Sequence, residues 1–383
     1  MTNKILLTES VNILLTKSDV PARLTIEQCA SALAMSMTSF RRKLTLEETT
    51  FKLIQQKYLN ELCVKALLTQ HESIDILVAK LGYSERSTFE RAFRNKFGIT
   101  PSQFRELSLV DDTGNTDKQK LSDIAQNMPP LSDSCQQLLI DKDHASFDLQ
   151  RVLEIVAQDP IFTGRLMGLA SKAIYGKTPL NIQEAISRSL GINTVVNLAV
   201  VFSVKDALSA HVDDKVISQC TQAFLTAPKL FQLIRKSVAA KLKFDNALTE
   251  QVLVFGLLGI LLLCHKDFSK HQFMLHSMQG VDEVDSLNTH VYAAMHISIY
   301  AASSLMLSIW HIDAKVIKQL HHIDKVSKRE VTGTKQDELT LFMLSCLYSL
   351  ISECNDYSHL EQKAELLEIE NFAEIKAIFF NHH

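Results

Sequence analysis

The sequence predicts an all-α protein of two domains, a double helix-turn-helix domain followed by a larger multi-helical body. Three observations carry this. The 383 residues include only 11 Gly and 7 Pro, and long stretches lack both, so turn punctuation is sparse and helices dominate. Apolar residues recur at helical spacing in most segments. A 46% hydrophobic and 22% charged composition is that of a folded chain, and the length exceeds a usual single domain.

The most specific segment is I-D-I-L-V-A-K-L-G-Y-S-E-R-S-T-F-E-R-A-F-R-N-K-F-G-I-T-P-S-Q-F-R, residues 74–105. Two short amphipathic helices are expected to meet at Gly82-Tyr83-Ser84, where Gly82 supplies the tight turn and Ser84 the N-cap of the second helix. Phe89, Phe93 and Phe97 recur every four residues, an apolar face to set against Leu77, Val78 and Leu81 of the partner helix. The other face offers Glu85, Arg86, Ser87, Glu90, Arg91 and Arg94, residue types that contact phosphates and base edges. Alone, such a face is more often a merely solvated one. Its recurrence reverses that preference.

Ile26, Ala30, Leu33 and Ser36 stand at a constant offset from Ile74, Val78, Leu81 and Ser84, so the chain carries a second copy of the motif. In that copy Phe40 and Leu44 take the apolar face and leave Thr38, Ser39, Arg41, Arg42 and Lys43 outward. Phe40 lies four residues after Ser36, whereas Phe89 lies five after Ser84, a slip of one. Residues 50–70 have helical periodicity without Gly or Pro and predict one helix joining the copies. Two recognition helices about one helical turn of DNA apart could enter successive major grooves.

Residues 18–107 resemble the DNA-binding domain of the AraC/XylS family of bacterial transcription regulators, with G-I-T-P-S-Q-F-R at 98–105 the most recognisable signature. The resemblance implies Thr38, Ser39, Arg41 and Arg42 as DNA-contacting residues in the first copy. In the second it implies Arg86, Ser87, Thr88, Arg91 and Arg94. Thr88 adjoins Phe89 and is expected to be partly buried. Charge agrees with this division: residues 1–110 hold 15 Lys and Arg against 11 Asp and Glu, leaving 25 against 32 for the rest. A mildly basic head faces phosphates better than an acidic body does.

Residues 109–127 are polar and rich in Asp and Asn, and are expected to be a linker, mobile over Asp111 to Lys120. In the body, Asp159-Pro160 should end one helix and start the next, and Gly191 should stop another. Pro129-Pro130-Leu131, Asp159-Pro160, Leu166 to Tyr175 and Ala185 to Gly191 together resemble an HDOD domain, the all-helical signalling relative of HD-type phosphohydrolases, over residues 128–325. Ser171-Lys172 stands where that family commonly has Asn-Ser. Domains are thus expected at 1–108, 128–325 and, as a helical extension packed on the body, 326–383. The apolar stripe of that extension is Leu339, Phe342, Met343, Leu347 and Leu350.

An HD phosphohydrolase needs an adjacent His-Asp pair with further His and Asp ligands to hold metal and activate water. No His-Asp dipeptide occurs in the chain, and in F-G-L-L-G-I-L, which resembles the family's dyad-bearing helix, the resemblance puts Gly259 and Ile260 at the dyad's place. His290, His296, His311, His321 and His322 remain as histidines to be placed. The sequence has no phosphate loop, nucleophile elbow or paired zinc-ligand spacing. No catalytic residue, metal site or cofactor is therefore expected.

Seven cysteines, Cys29, Cys63, Cys135, Cys220, Cys264, Cys346 and Cys354, stand singly and read as buried thiols of a reducing compartment. The start M-T-N-K-I-L-L-T-E-S reaches Glu9 before an apolar core develops, so no signal peptide is expected. The apolar run at 252–264 is short for a membrane span, whose usual length is about 20 residues, and reads as a core helix.

The expectation is a cytoplasmic bacterial transcription regulator that binds double-stranded promoter DNA. Its body would form a homodimer or sense a small-molecule or protein effector, with no membrane partner. A non-enzymatic adaptor for protein partners and a residual metal-dependent phosphohydrolase are the alternatives.

Overall fold

The computed structural model describes residues 6–47, 49–69, 73–97, 99–107, 116–142, 146–238, 245–310, 312–352 and 356–380. These form helices and turns, with no strand among the described residues, in two compact units, Met1–Gly114 and Asn115–His383.

The first unit contains α1 (Leu7–Lys17), α2 (Ile26–Ala32), α3 (Met37–Leu46), α4 (Phe51–Thr69), α5 (Ile74–Lys80), α6 (Arg86–Phe97) and α7 (Pro101–Leu107). Val11 and Leu15 of α1 close a core with Cys29, Ala30, Phe40, Leu44 and Ile54. Around the second helix pair, Tyr83, Phe89, Phe93 and Phe104 form a chain of ring contacts with centroids 5.5 to 5.7 Å apart. The side chain of Phe97, the third phenylalanine of the expected face, lies outside the described residues. The single helix expected over 50–70 is α4. It packs on α1, α7 and the short turn Pro21–Arg23, whose Pro21 carbonyl accepts from Gln55 Nε2 at 2.9 Å.

The second unit begins at α8 (Thr116–Gln126), α9 (Asp133–Asp141), α10 (Leu149–Ala157) and α11 (Pro160–Ala170). After α12 (Ile182–Glu184) the chain widens into a π turn, Ala185–Leu190. Then follow α13 (Ile192–Leu208), α14 (Asp214–Val238), α15 (Asn246–Phe255), α16 (Gly259–Leu263), α17 (His271–Gly280), α18 (Val284–Met295), α19 (Ile299–Ile309), α20 (Ala314–Ser327), α21 (Lys335–Ile351), α22 (Ser358–Leu366) and α23 (Phe372–Phe379).

The linker expected over 109–127 is corrected by α8. Leu121, Ser122 and Ala125 are buried there, and the helix packs on α16 and α19. Residues 111–115 of the segment expected to be mobile lie outside the described residues. Asp159 starts α11 as read, its carboxylate accepting from the Phe162 N–H at 2.9 Å with Pro160 next in line. Gly191 ends the π turn with φ +89°.

The apolar run 252–264 is not one helix. It is the end of α15 and all of α16, separated by a turn. The stretch Asn246–Leu263 is long and apolar enough to cross a membrane by length and composition, yet residues 252–264 are buried in this fold. The expected stripe on α21 is broader than predicted. Every residue of Leu339–Ser349 is buried, because α21 lies among α14, α15, α18, α20 and α22.

Candidate DNA-binding surface

The two helix-turn-helix copies share one turn. In the first, the Ala34 N–H donates to the Ser31 carbonyl at 3.0 Å and the Met35 N–H to Ala30 at 2.9 Å. In the second, the Gly82 N–H donates to Ala79 at 3.0 Å and the Tyr83 N–H to Val78 at 3.1 Å, the same bonds 48 residues on. Both turn residues are left-handed, Ala34 at φ +53° and Gly82 at φ +74°. The preceding helices are capped alike, since Thr25 accepts from the Gln28 N–H and Ser73 from the Ile76 N–H.

The expected N-cap at Ser84 is corrected. Helix α6 starts at Arg86, and the Glu85 carbonyl accepts its first bond, from the Phe89 N–H at 3.2 Å. In α3 the same bond runs from the Phe40 N–H to the Ser36 carbonyl at 2.9 Å. The one-residue slip therefore lies in the turn. Counted from the cap, Phe40 matches Phe89 and Leu44 matches Phe93, all four buried. Thr38, Ser39 and Arg42 then match Ser87, Thr88 and Arg91. The common four-residue step from Phe40 to Leu44 and from Phe89 to Phe93 was the sequence signal for this alignment.

Thr38, Arg41 and Arg42 are exposed and Ser39 is half-buried, while Arg86, Ser87, Thr88, Arg91 and Arg94 are all exposed. Thr88 is thus not partly buried as expected, because Phe89 turns inward and leaves its neighbour on the outer edge. Lys43 is exposed on the same helix as Arg41 and Arg42. Arg86 differs from the other arginines: its Nε donates to Glu90 Oε1 at 2.8 Å, and Asp75 lies 3.7 Å away. Arg41, Arg42, Arg91 and Arg94 make no ion pair with another described residue. Unpaired guanidinium groups on the outer faces of α3 and α6 are available to phosphates and to the acceptor edge of guanine.

In the second unit the place of the metal-binding dyad is closed. A Cβ on Gly259 would stand 2.1 Å from the Ile299 carbonyl oxygen and 2.7 Å from the Ser303 nitrogen, so no side chain fits there. Ile260 is buried. Of the histidines singled out from the sequence, His290 lies on α18 and His321 and His322 lie on α20. His322 Nε2 lies 3.1 Å from Asp337 Oδ2, His290 stacks on Phe273, and His296 ends α18 in a left-handed conformation. His311 and Cys354 lie outside the described residues. Cys29, Cys63, Cys135, Cys220, Cys264 and Cys346 are buried and free of disulfides. Desolvation pushes the Cys135 thiol up to about 12.

Two known domain families match the chain. The helix-turn-helix domain family matches residues 29–107, and the HDOD domain family matches residues 128–326. The HTH-type transcriptional regulator GadX of Escherichia coli K12 is 30% identical over 84 residues, which are 22% of this chain and 31% of GadX. The chain thus spans about a third of the length of the curated relatives it matches. Among solved structures, an HDOD domain protein of unknown function from Geobacter sulfurreducens is 11% identical with a TM-score of 0.48, covering 67% of this chain and 94% of that one. A candidate signal-transduction protein from Marinobacter aquaeolei VT8 is 16% identical with a TM-score of 0.45, covering 71% and 67%. The chain belongs to the HDOD family and carries ahead of that domain a helix-turn-helix domain of the AraC type.

Proposed function

We propose that this protein is a cytoplasmic, sequence-specific DNA-binding transcription regulator of bacterial type, in which α3 and α6 read successive major grooves of promoter DNA. The observation that carries this is the equivalence of the two helices once both are counted from their caps. Each sets a buried residue at the fourth and eighth positions and turns Thr38, Ser39, Arg41 and Arg42, or Ser87, Thr88, Arg91 and Arg94, outward. Hydroxyl groups early in each helix suit phosphate contacts, and Arg42 and Arg91 occupy matching positions for base contacts. Arg86 bonds to Glu90 and serves as a secondary contact.

The HDOD domain, in this proposal, regulates the head rather than catalysing a reaction, by sensing a small-molecule or protein effector or by forming a homodimer. The glycine packed against α19 where a metal ligand would stand supports a non-enzymatic role. An effector acts only through unequal affinity for head arrangements that can and cannot span two grooves.

The test is binding of the full chain to promoter fragments across a salt series, with Arg42→Ala and Arg91→Ala beside it. Each substitution should weaken specific binding by about 1–3 kcal/mol. Affinity of the parent should fall steeply with salt, as expected where cations neutralise phosphates. Unchanged affinity in both variants would sink the proposal.

A further inference from the structure

Two imidazoles and a carboxylate meet in the second unit at a point that the proposed function does not use. His211 lies in the turn after α13, and His265 and Asp267 lie in the turn between α16 and α17. The main chain pins these turns together, with the Lys266 N–H donating to the His211 carbonyl at 2.8 Å and the Phe268 N–H to the His265 carbonyl at 2.8 Å. The two histidine rings stack with centroids 4.8 Å apart and planes 11° from parallel. Asp267 Oδ2 lies 3.8 Å from His265 Nδ1. One ligand atom from each of the three residues lies within 4.8 Å of the other two.

Two donors bound tetrahedrally at about 2.1 Å from one ion stand about 3.4 Å apart, so closure asks for donor shifts of roughly 1–2 Å and, because an imidazole donates in its ring plane, for the His211 ring to turn out of its stack on His265. His265 is 5% exposed and serves as the fixed ligand, while His211 and Asp267 are exposed and free to turn toward it. The cluster lines a cleft of about 360 Å³ together with Asp123 of α8 and Asn127 just past its end. Imidazole nitrogens with one carboxylate oxygen are the donor set of zinc, cobalt and nickel rather than of magnesium or calcium, which favour all-oxygen sites.

We propose that His211, His265 and Asp267 form a divalent transition-metal site, of the zinc and cobalt class, with at least one coordination position open to the cleft beside α8. It is separate from the closed dyad position at Gly259 and Ile260. Three protein ligands and an open position make an exchangeable site, which suits a metal acting as an effector more than one holding the fold.

The full-length chain, stripped of metal by chelation, is titrated with Co²⁺ followed by visible absorption and with Zn²⁺ followed by calorimetry. Removing the buried His265 ring risks the fold, so the deciding variants are the exposed His211→Ala and Asp267→Ala, with His290→Ala as control. The expected result is one saturable ion per chain, weakened at least about tenfold by either deciding variant and unchanged by the control. Absence of saturable binding, or affinity retained in either His211→Ala or Asp267→Ala, overturns the site. DNA affinity is not a readout, so this result leaves the proposal for the head untouched.

Discussion

The two turn residues show how much one backbone angle contributes. Ala34 holds φ +53° with a side chain attached, a conformation that costs a non-glycine residue roughly 1–2 kcal/mol. Gly82 holds φ +74° without that cost, and an added Cβ would also stand 2.9 Å from Ala22 Cβ. Opposite responses are therefore expected. Gly82→Ala should destabilise the head by at least about 1 kcal/mol, and Ala34→Gly should stabilise it by a few tenths to about 1 kcal/mol. Denaturant midpoints of the two variants check this, and shifts of the same sign would show that the backbone angle is not the cause. At this scale the sequence was unevenly legible. Gly82 announced its turn, but Ala34 carries no turn signature and only the 48-residue repeat pointed to it. Ser84 misled because a good capping residue stood one position before the true cap.

Among the elements, α1 has an unusual N-terminus. Its cap residue Leu6 offers no side-chain bond. Glu47, just past α3, accepts instead from the Leu7 N–H at 2.7 Å, the Thr8 N–H at 2.9 Å and the Thr8 hydroxyl at 2.6 Å. One carboxylate thus caps a helix 40 residues away and complements its positive end. Partial burial works against ionisation of Glu47, but the bonds from Thr8 and Leu7 outweigh it and hold the carboxyl below its ordinary value. The sign follows: the stabilisation is fully present above the unfolded glutamate value of about 4.3 and is lost as pH falls through the lower folded value. Glu47→Ala should cost about 1 kcal/mol at neutral pH, with Glu47→Gln costing less, and the difference from the parent should shrink below about pH 4. Thermal melts at pH 7 and pH 3 test it; a pH-independent difference would show that the charge plays no part. Helices such as α4, a long run without Gly or Pro, and α11, opened by a Pro, were legible. Helix α8 was not, because its buried side is made by Leu121, Ser122 and Ala125 in a sequence that is otherwise polar.

For the whole molecule, the question is whether the two units respond as one. Each closes its own core, the first around Phe40 and Phe89 and the second around α13 to α21. The second also depends on a buried polar knot. Asn288 Oδ1 accepts from the Ile299 N–H at 2.8 Å, and its Nδ2 donates to Ser327 Oγ at 2.9 Å and Asp324 Oδ1 at 3.3 Å. This knot ties α18, α19 and α20 together. Sequence periodicity could find those helices but not the knot, since a polar residue on an apolar face gives no sign of its partner. Asn288→Ala would strand the Ile299 N–H and remove a donor from Asp324, a loss of about 2 kcal/mol. In thermal unfolding of the full chain, that variant should lower one transition and Gly82→Ala the other. If both substitutions lower a single common transition, folding of the DNA-binding head is coupled to the HDOD domain. The effector proposed for the body would then act by changing the folded population of the head as well as its arrangement on DNA.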